Sequence, residues 1–245
     1  MASGKYYASI LVENHDSLPV KAMIERDKTL GMDLGLTHYL ITDQGEKHPH
    51  PTYLKNSLSR LKKKQQQFSR KKKYSKNRSK EKNILAKCHE TVTNRRYDFI
   101  QQLSAKLAFN NHETSFAVED LHIKGMIKNH KLARALADSG WGKFIQALTY
   151  KCSWLGKNIL TINRFIASSK ICSICSFRLE KLALNVREWR CNDCGTVHDR
   201  DINAACNIKA FALADAAGLA ACVKQFPYSN DYQRNRYSER SSVVH

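Results

Sequence analysis

The chain has 245 residues, enough to bury a core as one large domain or two smaller ones, and its 42% hydrophobic content is that of a globular protein. Lys and Arg number 41 against 22 acids, a formal net charge of +19; such self-repulsion is relieved by a polyanion, which places nucleic acid ahead of an anionic membrane surface as partner. No apolar run is free enough of charge to span a bilayer. The best, Ala204 to Val223, carries Lys209 and Asp215 and reads as an Ala-rich helix packed inside the protein. The opening MASGKYYASILV lacks the layout of a signal peptide, so the expected compartment is the cytoplasm. Thiols stay reduced there, and eight cysteines call for a metal before disulfides.

Along the chain, Tyr6 to Val12 is rich in aromatic and β-branched residues and predicts a strand. A second strand is expected through Leu30-Gly31-Met32-Asp33-Leu34, with Tyr39 to Thr42 as its hairpin partner before the turn signal Asp43-Gln44-Gly45. The composition then changes. Sixteen Lys and Arg fall between Lys55 and Arg96, opposed by Glu81 and Glu90 alone, and no Pro or Gly interrupts them. One or two long basic helices follow, with an apolar stripe from Ile84, Leu85 and Cys88 through Val92, Phe99, Leu103 and Leu107. Ser115 to Glu119 predicts a buried strand running into a carboxylate. A polar connection from Gly125 to Gly140, a helix from Trp141 to about Leu155 and a short strand at Ile159 to Ile162 come next. A last helix near Asp201 presents Ala205, Ile208 and Ala212 on one face, and the chain from about Val223 is expected to be a flexible tail.

The cysteines at 172, 175, 191 and 194 form C-x2-C, fifteen residues, C-x2-C. Two such pairs let four thiolates meet on one tetrahedral centre, the arrangement of a structural Zn²⁺ site with ligands Cys172, Cys175, Cys191 and Cys194. Ser173, Ser176 and Gly195 suit the tight knuckles beside each pair. Cys88, Cys152, Cys206 and Cys222 have no such neighbour and read as ordinary buried thiols. A ribbon of this kind serves transcription factors, ribosomal proteins and nucleases alike, so it does not by itself choose a function.

Three acids separate those options. Asp33 lies in an apolar strand, Glu119 ends another, and Asp201 opens the C-terminal helix. An ionised acid among apolar residues is costly without compensation, and three of them suggest one shared cation site. Oxygen donors suit Mg²⁺ or Mn²⁺, ions that assist water attack on a phosphodiester. Taken singly, each acid also has a structural reading: a turn residue, a strand-end charge and a helix cap.

The segments GMDLGLTHYLITDQG, FAVEDLHIKGM, SGWGKFIQALTYKCSWLGKNILTINRFIASSKICSIC and CNDCGTVHDRDINAACNI closely resemble the catalytic half of the TnpB (OrfB-type) transposon proteins, compact relatives of type V CRISPR effector nucleases. The resemblance implies an α/β fold: an RNase H-like (RuvC) mixed sheet flanked by helices, with an inserted zinc ribbon and a basic helical insert. It implies Asp33, Glu119 and Asp201 as catalytic acids and Mg²⁺ ligands, Asp201 being preferred to its neighbour Asp199 because the family's acid stands two before Asn in D-x-N-A-A. It also implies a nuclease core over 30–170 with the insert at about 52–110, a ribbon over 171–196, a last nuclease segment over 197–222 and a tail over 223–245. DNA and a transposon-derived guide RNA are the implied partners, with no membrane. Lys62, Lys63, Lys64, Arg70, Lys71, Lys72, Lys73 and Arg78 are the expected nucleic-acid contacts; cations without regular aromatic spacing predict phosphate contact rather than base reading. Family members carry a longer N-terminal half, so residues 1–29 read as the end of an upstream β domain and the chain as N-terminally truncated. Three functions stand at this point: a metal-dependent endodeoxyribonuclease, a non-catalytic nucleic-acid-binding remnant, and a zinc-ribbon transcription or translation factor.

Overall fold

A computed structural model describes residues 4–13, 17–110, 112–130, 132–164, 166–183 and 185–218. At its centre is a five-stranded sheet of order β3-β2-β1-β4-β5, made of β1 (Thr29–Asp33), β2 (His38–Thr42), β3 (Lys47–Pro49), β4 (Ser115–Glu119) and β5 (Asn158–Ile162). The first three strands form an antiparallel meander. Its second turn uses Gly45 at φ 87°, where a side chain would be strained, while the Thr42 hydroxyl accepts from the Glu46 N–H. β1, β4 and β5 are parallel, with Met32 beside Val118 and Glu119 beside Ile162.

Parallel strands need crossovers, and the basic segment supplies the first. It folds as two helices, α1 (Tyr53–Ser69) and α2 (Lys76–Ala108). They pack through Leu61, Cys88 and Val92, and the far half of α2 buries Ile100, Leu103 and Leu107 on the sheet. The expected stripe is therefore present, except that Ile84 at its start is exposed. The second crossover holds α3 (Ile123–Met126), α4 (Ala133–Ser139) and α5 (Trp141–Trp154). The two short helices occupy what composition predicts as a polar connection; Leu136, the one large apolar residue buried from α4, fixes it to the core. Lys151 docks α5 on α2: its ammonium donates to the Gln101 carbonyl and side chain and to the Ser104 hydroxyl, which satisfies a buried charge.

The other face of the sheet is covered by α6 (Arg200–Ala216), which presents Ala205, Ile208 and Ala212 as expected. Side chains alternate along a strand. Met32 and Val118 accordingly enter the core under α2 and α5, whereas Ala117 packs with Ile208 and Phe211 of α6. Before α6 comes the cysteine module with its small hairpin, β6 (Glu188–Arg190) and β7 (Val197–Asp199).

Tyr6 to Val12 does not form the expected strand. A strand needs a neighbour to complete its backbone hydrogen bonds, and this segment has no regular structure and is exposed, with Tyr6 and Leu11 open to solvent. Of the solitary cysteines, Cys88 and Cys152 are buried as expected, Cys206 is half-buried, and Cys222 and the 223–245 tail lie outside the described residues. No helix among the described residues is long and apolar enough to cross a membrane.

Gly31 sets the distance between sheet and α6. A Cβ there would fall 2.2 Å from the Ala205 carbonyl oxygen and 2.8 Å from the Lys209 Cβ, so only glycine permits the approach. Gly31→Ala is expected to destabilise the chain by about 3 kcal/mol, an overpacking cost at the upper end of its usual range because the clash is with backbone. Urea denaturation followed by circular dichroism measures it.

Candidate nuclease centre and zinc ribbon

Asp33 and Glu119 are the last residues of two adjacent parallel strands, one step beyond the Met32–Val118 pair. Each lies two residues past a position that touches α6, Gly31 for Asp33 and Ala117 for Glu119. Alternation then turns both carboxylates to the α6 face. The helix runs antiparallel to β1, so Asp201, one turn before Ala205, comes to the same end. This is the carboxyl edge of a parallel sheet, where α/β folds place their ligands.

Electrostatics record the convergence. Asp33 is pushed up to about 7, first by burial and then by the carboxylates of Glu119 and Asp201. Glu119 is also raised by burial, partly offset by the Ser168 hydroxyl, which donates to Oε1 at 2.5 Å. Asp201 is paired with the Arg187 guanidinium at 3.3 Å, and Arg187 also reaches the Thr37 hydroxyl just beyond β1. Asp33 therefore senses both other acids, although among the described residues only the cysteines bring their ligand atoms within one ion's reach.

Asp201 is not the helix cap. That role belongs to Asp199, whose side chain accepts from the Asp201 and Ile202 N–H groups and is held by Lys47 at 2.5 Å. Asp199 is accordingly held below the usual carboxylate range by Lys47 and these amides, against the effect of burial. With the cap supplied by its neighbour, the Asp201 side chain is left to pair with Arg187 at the same sheet edge as Asp33. An Asp just ahead of a helix is a legible capping signal; Ser168 and Arg187, distant in sequence, carried none.

The sulfurs of Cys172, Cys175, Cys191 and Cys194 all lie within 4.8 Å of one another, with closest pairs at 3.5 and 3.7 Å. Four thiolates about 2.3 Å from a zinc ion sit about 3.8 Å apart, so this donor set fits the ion. The knuckles are built as expected: Ser176 and Gly195 take positive φ, and their N–H groups return to the carbonyls of Cys172 and Cys191. His198, stacked near Trp189, places Nε2 3.0 Å from the Cys172 sulfur. Asn203 and Asn207 of α6 both donate to the Ile171 carbonyl, and Asn203 also accepts from the Ser173 N–H. The first knuckle is thus fastened to the helix that carries Asp201.

The basic hairpin stands apart from this centre. Lys62, Lys63, Arg70, Lys71, Lys72 and Lys73 are exposed, while Lys64 and Arg78 are half-buried. Arg78 is engaged within the protein: it donates to the Lys71 carbonyl at 2.9 Å and lies 4.3 Å over the Phe68 ring.

A mixed sheet with three acids at its carboxyl edge and a four-cysteine ribbon before the last helix defines the RNase H-like (RuvC) class. Residues 9–130 match the OrfB_IS605 family model, described as "Probable transposase", and residues 141–208 match the "Cas12f1-like, TNB domain" model. The chain belongs to the TnpB (OrfB-type) family of transposon proteins. It is 41% identical over 215 residues to a "Putative RNA-guided DNA endonuclease" of Streptomyces pristinaespiralis, covering 88% of this chain and 52% of that protein. With InsQ of Escherichia coli K12, which carries the same description, identity is 27% over 89% of this chain and 56% of the relative. Two solved assemblies share the fold: a CRISPR-Cas12f ternary complex (TM-score 0.55, 16% identity, 79% of this chain and 40% of that one) and a Cas12f1–sgRNA–target DNA complex (TM-score 0.53, 15% identity, 77% and 51%). The chain spans about half the length of the curated relatives it matches.

Two outcomes check this description. In divalent-free buffer the folded chain retains an Asp33 proton that the unfolded chain has lost, so this carboxyl's contribution to stability falls as pH rises from about 4 to about 7. The stability difference between Asp33→Asn and the parent should grow in the variant's favour across that window and level off above it; a flat difference would mean that neither burial nor the neighbouring acids raise Asp33. Cys191→Ala should abolish stoichiometric zinc in metal analysis and speed amide exchange in residues 199–203, because the helix start loses its fastening.

Proposed function

We propose that the chain carries the nuclease centre of a transposon-encoded, RNA-guided DNA endonuclease, with DNA as substrate and a transposon-derived RNA as guide. The observation that carries this reading is the convergence of Asp33, Glu119 and Asp201 at one sheet edge, where burial and mutual repulsion raise Asp33. Three acids gathered at one edge, with Arg187 opposite Asp201 as their one ion pair among the described residues, suit a hard divalent cation, and they are the residues that would hold Mg²⁺ or Mn²⁺. When bound, the metal supplies charge for activating a water and stabilising the leaving oxygen of a phosphodiester.

The protein's own groups have separate tasks. Ser168 orients Glu119 through a short hydrogen bond. Asp199 takes up the amides at the α6 start, so that the Asp201 oxygens are left out of the cap and face Arg187. Arg187, opposite Asp201 and extending from the ribbon arm, brings a cation to the place where a phosphate would arrive. The ribbon, holding zinc in its four thiolates, braces the third acid, since only six residues separate Cys194 from Asp201.

Asp33→Ala should abolish Mg²⁺-dependent nicking of single-stranded DNA while the variant keeps its circular dichroism spectrum, and Glu119→Gln should do the same. Equal cutting by parent and variants would overturn the assignment. Salt-sensitive binding without turnover in any divalent metal would leave a nucleic-acid-binding protein that does not cleave.

A further inference from the structure

The turn between α1 and α2 holds an aromatic residue that the nuclease centre does not use. Tyr74 is 99% exposed and sits at φ 62°, the left-handed region that bulky side chains avoid. Its neighbours hold it there. The Ser75 hydroxyl donates to the Lys72 carbonyl and accepts from the Arg78 N–H, capping α2, while the Arg78 guanidinium closes on the Lys71 carbonyl and covers Phe68. The turn is thus locked from within, and the ring it displays has no packing role. An unfavourable backbone conformation maintained by its surroundings, with its side chain in solvent, is the kind of outlier that marks a contact site.

The surroundings indicate the ligand. Phe68, Lys73, Tyr74, Arg78 and Lys82 line a surface pocket of about 370 Å³, room for a single nucleotide. Lys71, Lys72 and Lys73 lead into it, exposed and without an acid beside them in the chain. Cations that track a phosphate backbone beside an exposed aromatic face form the pattern that binds unpaired nucleotides by stacking. We propose that Tyr74 and this pocket form a stacking site for an unpaired nucleobase, with Lys72 and Lys73 on the flanking phosphates. The inference rests on the nucleic-acid reading of the basic hairpin and adds base contact where cation spacing implied phosphate contact alone. RNA and single-stranded DNA share this chemistry.

The test uses the full chain and a short unstructured oligonucleotide, as RNA in one arm and DNA in the other, each also made with abasic sites. Binding is followed by fluorescence anisotropy over a range of salt concentrations. Tyr74→Asn, which tolerates the left-handed backbone, should weaken binding of at least one intact oligonucleotide about five- to a hundredfold without changing the salt slope, and should leave abasic binding unchanged. Tyr74→Phe should bind like the parent. The double variant Lys72→Ala, Lys73→Ala should flatten the salt slope in both arms. Unchanged binding by Tyr74→Asn in both arms, with the lysine variant still weakened, would overturn the stacking site while sparing the basic hairpin. No effect of either variant would overturn both. The arm with the larger Tyr74→Asn effect identifies the nucleic acid.

Discussion

The close approach of α6 to β1 at Gly31 is the constraint on which the rest of the structure depends. A helix resting on side chains would stand farther off, and its first turn would miss the end of the sheet. Because the Ala205 carbonyl meets a strand residue without a side chain, the helix lies directly on the backbone and carries Asp201 to the edge where Asp33 and Glu119 end their strands. Lys209 and Asp43 reinforce the contact: Asp43 accepts from both the Lys209 ammonium and the Gly31 N–H.

That geometry creates an electrostatic cost. Burial and the carboxylates of Glu119 and Asp201 both raise Asp33, and burial strengthens the repulsion because little water screens it. The fold tolerates this through local partners that stop short of neutralising the site. Ser168 holds Glu119, Arg187 faces Asp201, and Asp199 with Lys47 forms a separate pair that caps the helix. What remains is an unfavourable charge density on Asp33, which a divalent cation would relieve. Stability and proposed chemistry are therefore opposed at this edge, as perturbed titratable groups at functional sites often show.

The cysteine ribbon belongs to the same design. Its first knuckle is tied to α6 through Asn203 and Asn207, and its β6–β7 hairpin ends in the capping residue Asp199. With zinc bound, a tetrahedral four-thiolate site would be closed and rigid, and its position would be transmitted to the helix start over a few residues. The α1–α2 hairpin, in contrast, projects from the body with its charges in solvent and its turn locked by Arg78.

Much of this was legible in the chain because the signals are local. Periodicity marks α2, α5 and α6, short apolar runs mark β1, β4 and β5, and cysteine spacing marks the ribbon, since each is decided by neighbours within a few residues. Asp33, Glu119 and Asp201 could be singled out as acids in apolar contexts, and the family motifs named them. Their meeting could not be read that way: it follows from strand register and from the depth at which α6 sits, both set by contacts between residues far apart in sequence. The same holds for the Tyr6 to Val12 segment, whose propensity is that of a strand but which pairs with no strand among the described residues. It holds for Arg78, which by composition looks like another free cation and by packing is the clasp of a turn. Residue type and spacing determined which groups could do chemistry; tertiary packing decided which of them face one another, because only long-range contacts bring separate ends of the chain to one edge.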